Sequence, residues 1–221
     1  ICKGLMDRLV AFDYFLDKNP EWQDKLVFIL NVVPSRDEID AYNQRKREIE
    51  EKIGTINGKY YSISWQPIIY RYNHLPFNEL LALYQASDVA LITPLRDGMN
   101  LVAKEYVASC TDQQGVLILS ELAGAASELN EALLVMPTDI IDVSNAILRA
   151  LTMPPEEQRE RLLMMQKRLA EYDVIKWVSD FLDQLANVKQ QQQKQKTKLV
   201  DDKVLAQIHL HYQVAKNRCL L

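Results

Sequence analysis

The sequence predicts an α/β fold, a parallel sheet with helices on both faces, and three observations carry that reading. Short apolar runs alternate with segments of helical spacing through the first two-thirds of the chain. The runs are continuous rather than alternating, as in KLVFILNV (Lys25 to Val32) and GVLIL (Gly115 to Leu119), which suits strands buried on both faces. The 221 residues, 48% apolar and 25% charged, suffice for one buried core with some chain to spare.

The elements follow in order. Leu5, Leu9, Phe12 and Leu16 recur at helical spacing, so 5–18 is an amphipathic helix stopped by Asn19-Pro20. Lys25 to Val32 is the first strand, and Pro34-Ser35-Arg36 a loop. Asp37 to Ile53 reads as a charged helix with Gly54 as its C-terminal cap, and Asn57-Gly58 as a turn. Ile68 to Tyr72 is a strand, Phe77 to Ala86 a helix, and Asp88 to Ile92 a strand. Thr93 to Met99 is a loop leading into a helix from Asn100 to Cys110. Gly115 to Leu119 and Ala132 to Val135 are strands, and between them Ala123-Gly124-Ala125-Ala126 marks a close packing point or a helix entry. Helices follow at 139–151, 155–171 and 174–187. Val188 to Lys198 (VKQQQQKQKTK) reads as a solvated linker, with a small helix beyond it in 199–216. The whole is Rossmann-like. Ligands of such sheets bind beyond the carboxyl ends of the strands. The candidate site loops are therefore 1–4, 33–36, 73–76, 93–99 and 120–126.

Several function classes are excluded. Lys and Arg number 26 against 30 Asp and Glu, a net charge of −4, so the electrostatic footprint of a nucleic-acid binder is missing. No apolar run approaches the ~20 residues of a membrane-spanning helix. Cys2, Cys110 and Cys219 are odd in number and scattered, which fits a reducing cytosol, and none has a neighbour that would activate a thiolate. Neither dinucleotide fingerprint, P-loop, C-x-x-C nor H-E-x-x-H occurs. His74, His209 and His211 are not clustered with carboxylates. The opening Ile1-Cys2-Lys3-Gly4 reads like a loop after a strand, and Asn217 to Leu221 like the start of another strand, so a segment of a longer protein is expected.

The densest loop is Pro94-Leu95-Arg96-Asp97-Gly98-Met99-Asn100-Leu101, between a strand and a helix. The helix start offers unpaired N–H groups and a positive dipole end to a phosphate or a sugar oxygen. Gly98 lets backbone approach a ligand, Asp97 accepts hydrogen bonds from sugar hydroxyls, and Glu105 has two oxygens with which to bridge vicinal hydroxyls. The spacing alone slightly favours a plainer reading: Asp97 as the helix cap and Glu105 as a solvated residue paired with a lysine.

The run Thr93-Pro-Leu-Arg-Asp-Gly-Met-Asn-Leu-Val-Ala-Lys-Glu-Tyr-Val-Ala108 closely resembles the donor-site signature of trehalose-6-phosphate synthases, retaining GT-B glycosyltransferases. Gly115 to Ser120, Ala123 to Ala126, Ile56-Asn57-Gly58, Trp65-Gln66-Pro67, Val33 to Arg36, Ala150 to Met153 and Asp173 to Trp177 match as well. Lys3-Gly4 fits the tail of the family's R-x-D-Y-x-K-G segment, whose Arg is not in this chain. The resemblance spans residues 1–187.

It implies transfer of glucose from UDP-glucose to glucose 6-phosphate, in a cleft between two Rossmann-like domains. This chain would be the C-terminal, nucleotide-sugar-binding half of the GT-B fold, lacking the N-terminal domain, with 188–221 leading to a fused phosphatase. Lys3 would hold the diphosphate and Asp97 the donor glucose hydroxyls. Gly98, Met99, Asn100 and Leu101 would line the glucose and phosphate, and Glu105 would bridge the ribose. Arg36 would reach the acceptor phosphate, and Leu75 and Leu80 would border the uracil. No cofactor or metal is expected, because Lys, Arg and a helix N-terminus stabilise a departing diphosphate. A relative with another phosphorylated acceptor, or a non-catalytic regulatory domain, remains open at this point.

Overall fold

The computed structural model describes residues 2–34, 40–172, 174–194 and 201–216. Two compact units divide the chain, 1–171 and 172–221. The first holds helices α1 (Leu5–Lys18), α2 (Asp40–Tyr60), α3 (Phe77–Gln85), α4 (Leu101–Ser109), α5 (Ile140–Leu151) and α6 (Pro155–Glu171). Its strands are β1 (Phe28–Val32), β2 (Ile68–Tyr72), β3 (Val89–Ile92), β4 (Val116–Ser120) and β5 (Leu133–Val135). All strand pairs are parallel, as the sequence predicts, but they form two sheets, β1-β2 and β3-β4-β5.

Strand β4 shows why a continuous apolar run was needed. Every one of its residues is buried. Val116 and Ile118 join one core with Leu9, Phe12 and Phe15 of α1 and Val143 and Ile147 of α5. Leu117 and Leu119 join a second core with Tyr106 and Val107 of α4 and Leu162 and Met165 of α6. Strand β1 departs from its expected burial on both faces. Leu30 is buried in the first core, while Ile29 and its register partner Ile69 are about two-fifths exposed, at 41% and 42%. The second core lies against β4, with Ala90 and Ile92 of β3 packed on it, and contains no residue of β1.

Helix α2 also departs from the reading. It runs straight through Gly54 and the Asn57-Gly58 pair to Tyr60. Each helical glycine costs about 1 kcal/mol relative to alanine, and tertiary contacts offset that cost. Ile49, Ile53 and Ile56 are buried along one stripe. The Asn57 amide donates to the Ile68 carbonyl and accepts from the Ile68 N–H, both at 3.0 Å, tying the helix to β2. Lys52 and Lys59 pair with Asp13 of α1 at 2.8 and 3.1 Å, and the Tyr60 hydroxyl donates to the Asp13 carbonyl at 3.0 Å.

The second unit contains α7 (Val174–Lys194) and α8 (Asp202–Val214). Helix α7 extends past the expected boundary at 187 through the glutamine run, since Gln and Lys are good helix formers. Its Trp177 ring stacks on Phe181, centroids 5.5 Å apart. Asp201 caps α8, accepting from the Val204 N–H at 2.8 Å. Among the described residues no helix is long and apolar enough to cross a membrane.

Candidate functional site

Three of the five loops named from the sequence meet beyond the carboxyl end of β3. The Leu95 N–H donates to the Cys2 carbonyl at 2.9 Å, joining 1–4 to 93–99. The Asp97 carbonyl accepts from the Gly124 N–H at 2.9 Å, and the Met99 carbonyl from the Ala125 N–H at 2.7 Å, joining 93–99 to 120–126. Residues Ser35 and Arg36, and with them the expected acceptor-phosphate ligand, lie outside the described residues.

Two glycines permit this convergence. Gly4 has φ +64°, and a Cβ there would stand 2.2 Å from the Thr93 carbonyl oxygen. A Cβ on Gly124 would stand 2.1 Å from the Gly98 carbonyl oxygen and 3.3 Å from the Met99 Cα. The close packing point expected at 123–126 is thus Gly124 against Gly98 and Met99. Gly98 itself is exposed, and a Cβ on it would meet nothing within 4 Å. Its surface faces open space, where a ligand has room to approach.

Asp97 is the electrostatic centre. Its side chain is only 14% exposed, and Lys3 Nζ donates to Oδ2 at 2.5 Å. The Met99 N–H and the Asn100 amide donate to its two oxygens at 3.5 and 3.2 Å. Burial pushes the carboxyl pKa up. The Lys3 hydrogen bond and charge, with the two further donors, outweigh burial and hold it below the ordinary 3.8. Asp97 is therefore a fixed anion at neutral pH. Lys3 is 67% exposed, so its side chain can turn with little loss of packing.

The plainer reading of the loop does not hold. Asn100, in left-handed backbone at φ +70°, caps α4, its Oδ1 accepting from the Ala103 N–H at 3.0 Å. That leaves Asp97 for other work, and the α4 N-terminus, with Leu101 and Val102 exposed, opens beside it. Glu105 is exposed, as that reading has it, but pairs with no lysine among the described residues. The Tyr84 hydroxyl of α3 donates to its Oε2 at 3.1 Å, while the neighbouring Lys104 pairs with Glu128 at 2.6 Å. Leu75 is buried and Leu80 half-buried, before and on α3, outside the hydrogen-bonded cluster. Cys110 is buried, and burial raises its thiol to about 11, so it is inert.

Sequence reasoning passed over Arg8. Its Nε donates to Thr93 Oγ1 at 3.2 Å and its Nη2 to the Lys3 carbonyl at 3.1 Å, clamping the Lys3 segment to the 93–99 loop. Burial lowers its pKa to about 10, which still leaves it charged at neutral pH. The available signal was a cation in the first turn of a helix, against the dipole preference.

Residues 1–187 match the model of glycosyltransferase family 20. A bifunctional trehalose-6-phosphate synthase/phosphatase of Thermoproteus tenax is 50% identical over 187 residues, 85% of this chain and 26% of that protein. A solved E. coli structure bound with UDP-2-fluoro glucose superposes with TM-score 0.80 at 40% identity, covering 83% of this chain and 41% of that one. A Burkholderia xenovorans α,α-trehalose-phosphate synthase (UDP-forming) in complex with glucose 6-phosphate gives TM-score 0.80 at 40% identity, covering 84% and 41%. The chain thus spans about a quarter of that curated relative and about two-fifths of those solved chains. With the family model matching residues 1–187, a span that holds the parallel α/β unit and the Asp97 loop, the chain belongs to glycosyltransferase family 20.

Proposed function

We propose that this chain is the donor-binding half of a UDP-forming α,α-trehalose-phosphate synthase, which moves glucose from UDP-glucose to glucose 6-phosphate. The observation that carries the reading is the Lys3–Asp97–Asn100 cluster at the open start of α4, in a family-20 chain. The bound ligands of the two solved relatives, UDP-2-fluoro glucose and glucose 6-phosphate, support the choice of substrates.

The chemistry follows from the charges. The bond between the anomeric carbon and the diphosphate oxygen breaks, and an acceptor hydroxyl oxygen bonds to the same face of that carbon. The hydroxyl proton passes to a donor phosphate oxygen, and UDP leaves. Negative charge grows on the diphosphate as this occurs. Lys3 turns from Asp97 toward that charge, and the N–H groups of Met99 to Leu101 with the α4 dipole add to it. Asp97, released from Lys3, accepts the glucose hydroxyls, and Glu105 accepts those of the ribose. Gly98 and Asn100 shape the glucose pocket, Leu75 and Leu80 border the uracil, and Arg36 takes the acceptor phosphate with a two-oxygen grip. No metal enters this scheme, so EDTA is expected to leave the rate unchanged.

The complete protein includes an N-terminal domain across the cleft, and a strand that belongs between β1 and β3. Two open edges support that strand. The Val116 N–H bonds the Asp88 carbonyl, so alternate residues Val89, Leu91 and Thr93 face away from β4. The next residue of that series, Leu95, bonds Cys2, as the last rung of a further parallel ladder would. Likewise Phe28 bonds toward β2, leaving Ile29 and Asn31 facing outward, and the buried Asn31 Oδ1 has no partner among the described residues. Beyond residue 188 we place the connection to a fused phosphatase, which the name of the Thermoproteus relative supports. The free cysteines Cys2 and Cys110 suit a cytoplasmic location.

The experiment is UDP release from UDP-glucose by the complete protein, with and without glucose 6-phosphate. Release that depends on glucose 6-phosphate is expected, and none from residues 1–221 alone. UDP binding without any release would refute the synthase reading in favour of a regulatory domain.

A further inference from the structure

Glu105 is exposed on α4, and an exposed glutamate ordinarily samples many rotamers. Here one of its oxygens is held. Tyr84, in the last turn of α3, donates its hydroxyl to Glu105 Oε2 at 3.1 Å across the α3–α4 seam, leaving Oε1 outside that bond. Tyr84 is itself fixed. Its ring packs edge-on against the ring of Tyr106, centroids 6.4 Å apart at 85°. Tyr106 is fully buried, and its hydroxyl donates to the Ser87 carbonyl at 3.1 Å. The Ser87 hydroxyl in turn donates to the Leu83 carbonyl at 2.6 Å, closing the end of α3. A rigid chain therefore runs from the buried Tyr106 through Tyr84 to one carboxylate oxygen. Burial, then the Glu105 charge, push the Tyr84 phenol well above its usual range, so it remains a donor at any working pH.

We infer that Tyr84 is a positioning residue for nucleotide-sugar binding: it holds Glu105 in the one rotamer that presents its carboxylate to the two ribose hydroxyls. This rests on the ribose role proposed for Glu105. A carboxylate accepts through both oxygens, so the phenol occupies one direction of Oε2 and leaves the rest for the ligand. Preorganisation of this kind contributes to affinity by removing the cost of ordering the side chain at the moment of binding. Glu105 alone, without its phenol, would bind the same hydroxyls after paying that ordering cost.

The test measures calorimetric affinities of the complete protein for UDP and for 2′,3′-dideoxy-UDP. Tyr84→Phe keeps the ring against Tyr106 and removes only the hydroxyl. UDP affinity is expected to fall roughly 3- to 10-fold, the scale of one hydrogen bond and one ordered side chain, with dideoxy-UDP unaffected. With UDP-glucose as substrate, KM is expected to rise by a similar factor with little change in kcat, the mark of lost uniform binding. Glu105→Gln is expected to weaken UDP selectively, and Tyr84→Phe added to it to change little more, because both act through one carboxylate. If Glu105→Gln weakens UDP and Tyr84→Phe does not, the positioning role is refuted while the ribose role stands. If Tyr84→Phe weakens UDP and dideoxy-UDP equally, its role is structural and the inference is also refuted. If Glu105→Gln has no effect, the ribose reading falls and takes the inference with it.

Discussion

Gly124→Ala is a demanding test of how the site is assembled. The added Cβ would stand 2.1 Å from the Gly98 carbonyl oxygen, 2.8 Å from its carbon and 3.3 Å from the Met99 Cα. All three are backbone atoms, so no side chain can swing aside. Ordinary contact at 3.4 Å requires the 97–99 segment to retreat by about 1.3 Å. That movement stretches the Gly124–Asp97 and Ala125–Met99 hydrogen bonds, now 2.9 and 2.7 Å. Two such bonds at about 1 kcal/mol each, plus overpacking of about 1–3 kcal/mol, less about 0.5 kcal/mol from a stiffer unfolded chain, leave a loss of about 2.5–4.5 kcal/mol. The displaced loop carries Asp97, and a misplacement of about 1 Å costs on the order of 100-fold in turnover. Urea midpoints and glucose 6-phosphate-dependent UDP release on the complete protein give both numbers. The paired control is Gly98→Ala, whose Cβ meets nothing. It should change stability by less than about 0.5 kcal/mol while weakening UDP-glucose binding. A Gly124→Ala protein as stable and active as its parent would mean that the two loops do not touch, and the site as described would be wrong.

Two further predictions concern the frame around the site. Asn57→Ala removes both bonds to the Ile68 backbone and leaves its N–H unpaired, while the carbonyl keeps the Gln66 amide at 3.0 Å, so a loss of about 1–3 kcal/mol is expected from urea unfolding; an unchanged midpoint would place Asn57 in a turn after all. Acid should destabilise the fold. Burial opposes ionisation of Asp97 and Asp13, but their lysine partners and other donors prevail, and the Arg168 fork prevails over burial at Glu131, so all three are held below their ordinary 3.8 or 4.5. A carboxyl with a depressed folded pKa contributes stability above its unfolded pKa and loses it as pH falls through the folded value. Unfolding midpoints should therefore be flat above about pH 5 and fall steadily from about pH 4 downward, and midpoints unchanged at pH ~3 would show that these pairs are not formed.

Legibility divided along a physical line. Helix α1 and the strands were readable because burial imprints a local period, and the bounds Leu5–Lys18 and Ile68–Tyr72 came out as expected. The Asp97 loop was readable because an α/β sheet must present something at its strand ends. The turn signal of Asn57-Gly58 failed because Ile53, Ile56 and the Ile68 backbone bond reward helix there more than the pair favours a turn. Tyr84 was invisible as a site residue, and Arg8 showed only as a cation set against the helix dipole, since their partners stand 21 and 85 positions away.

The sequence by itself determined the parallel α/β class, the family and the candidate site loop, because each is written in consecutive residues. Only the tertiary structure decided that Asn100 rather than Asp97 caps α4, that Gly124 packs against the backbone of Gly98 and Met99, and that Lys3 meets Asp97 across 94 positions. A cap or an ion pair goes to whichever competing group the packing brings within about 3 Å, and local spacing carries no record of that competition.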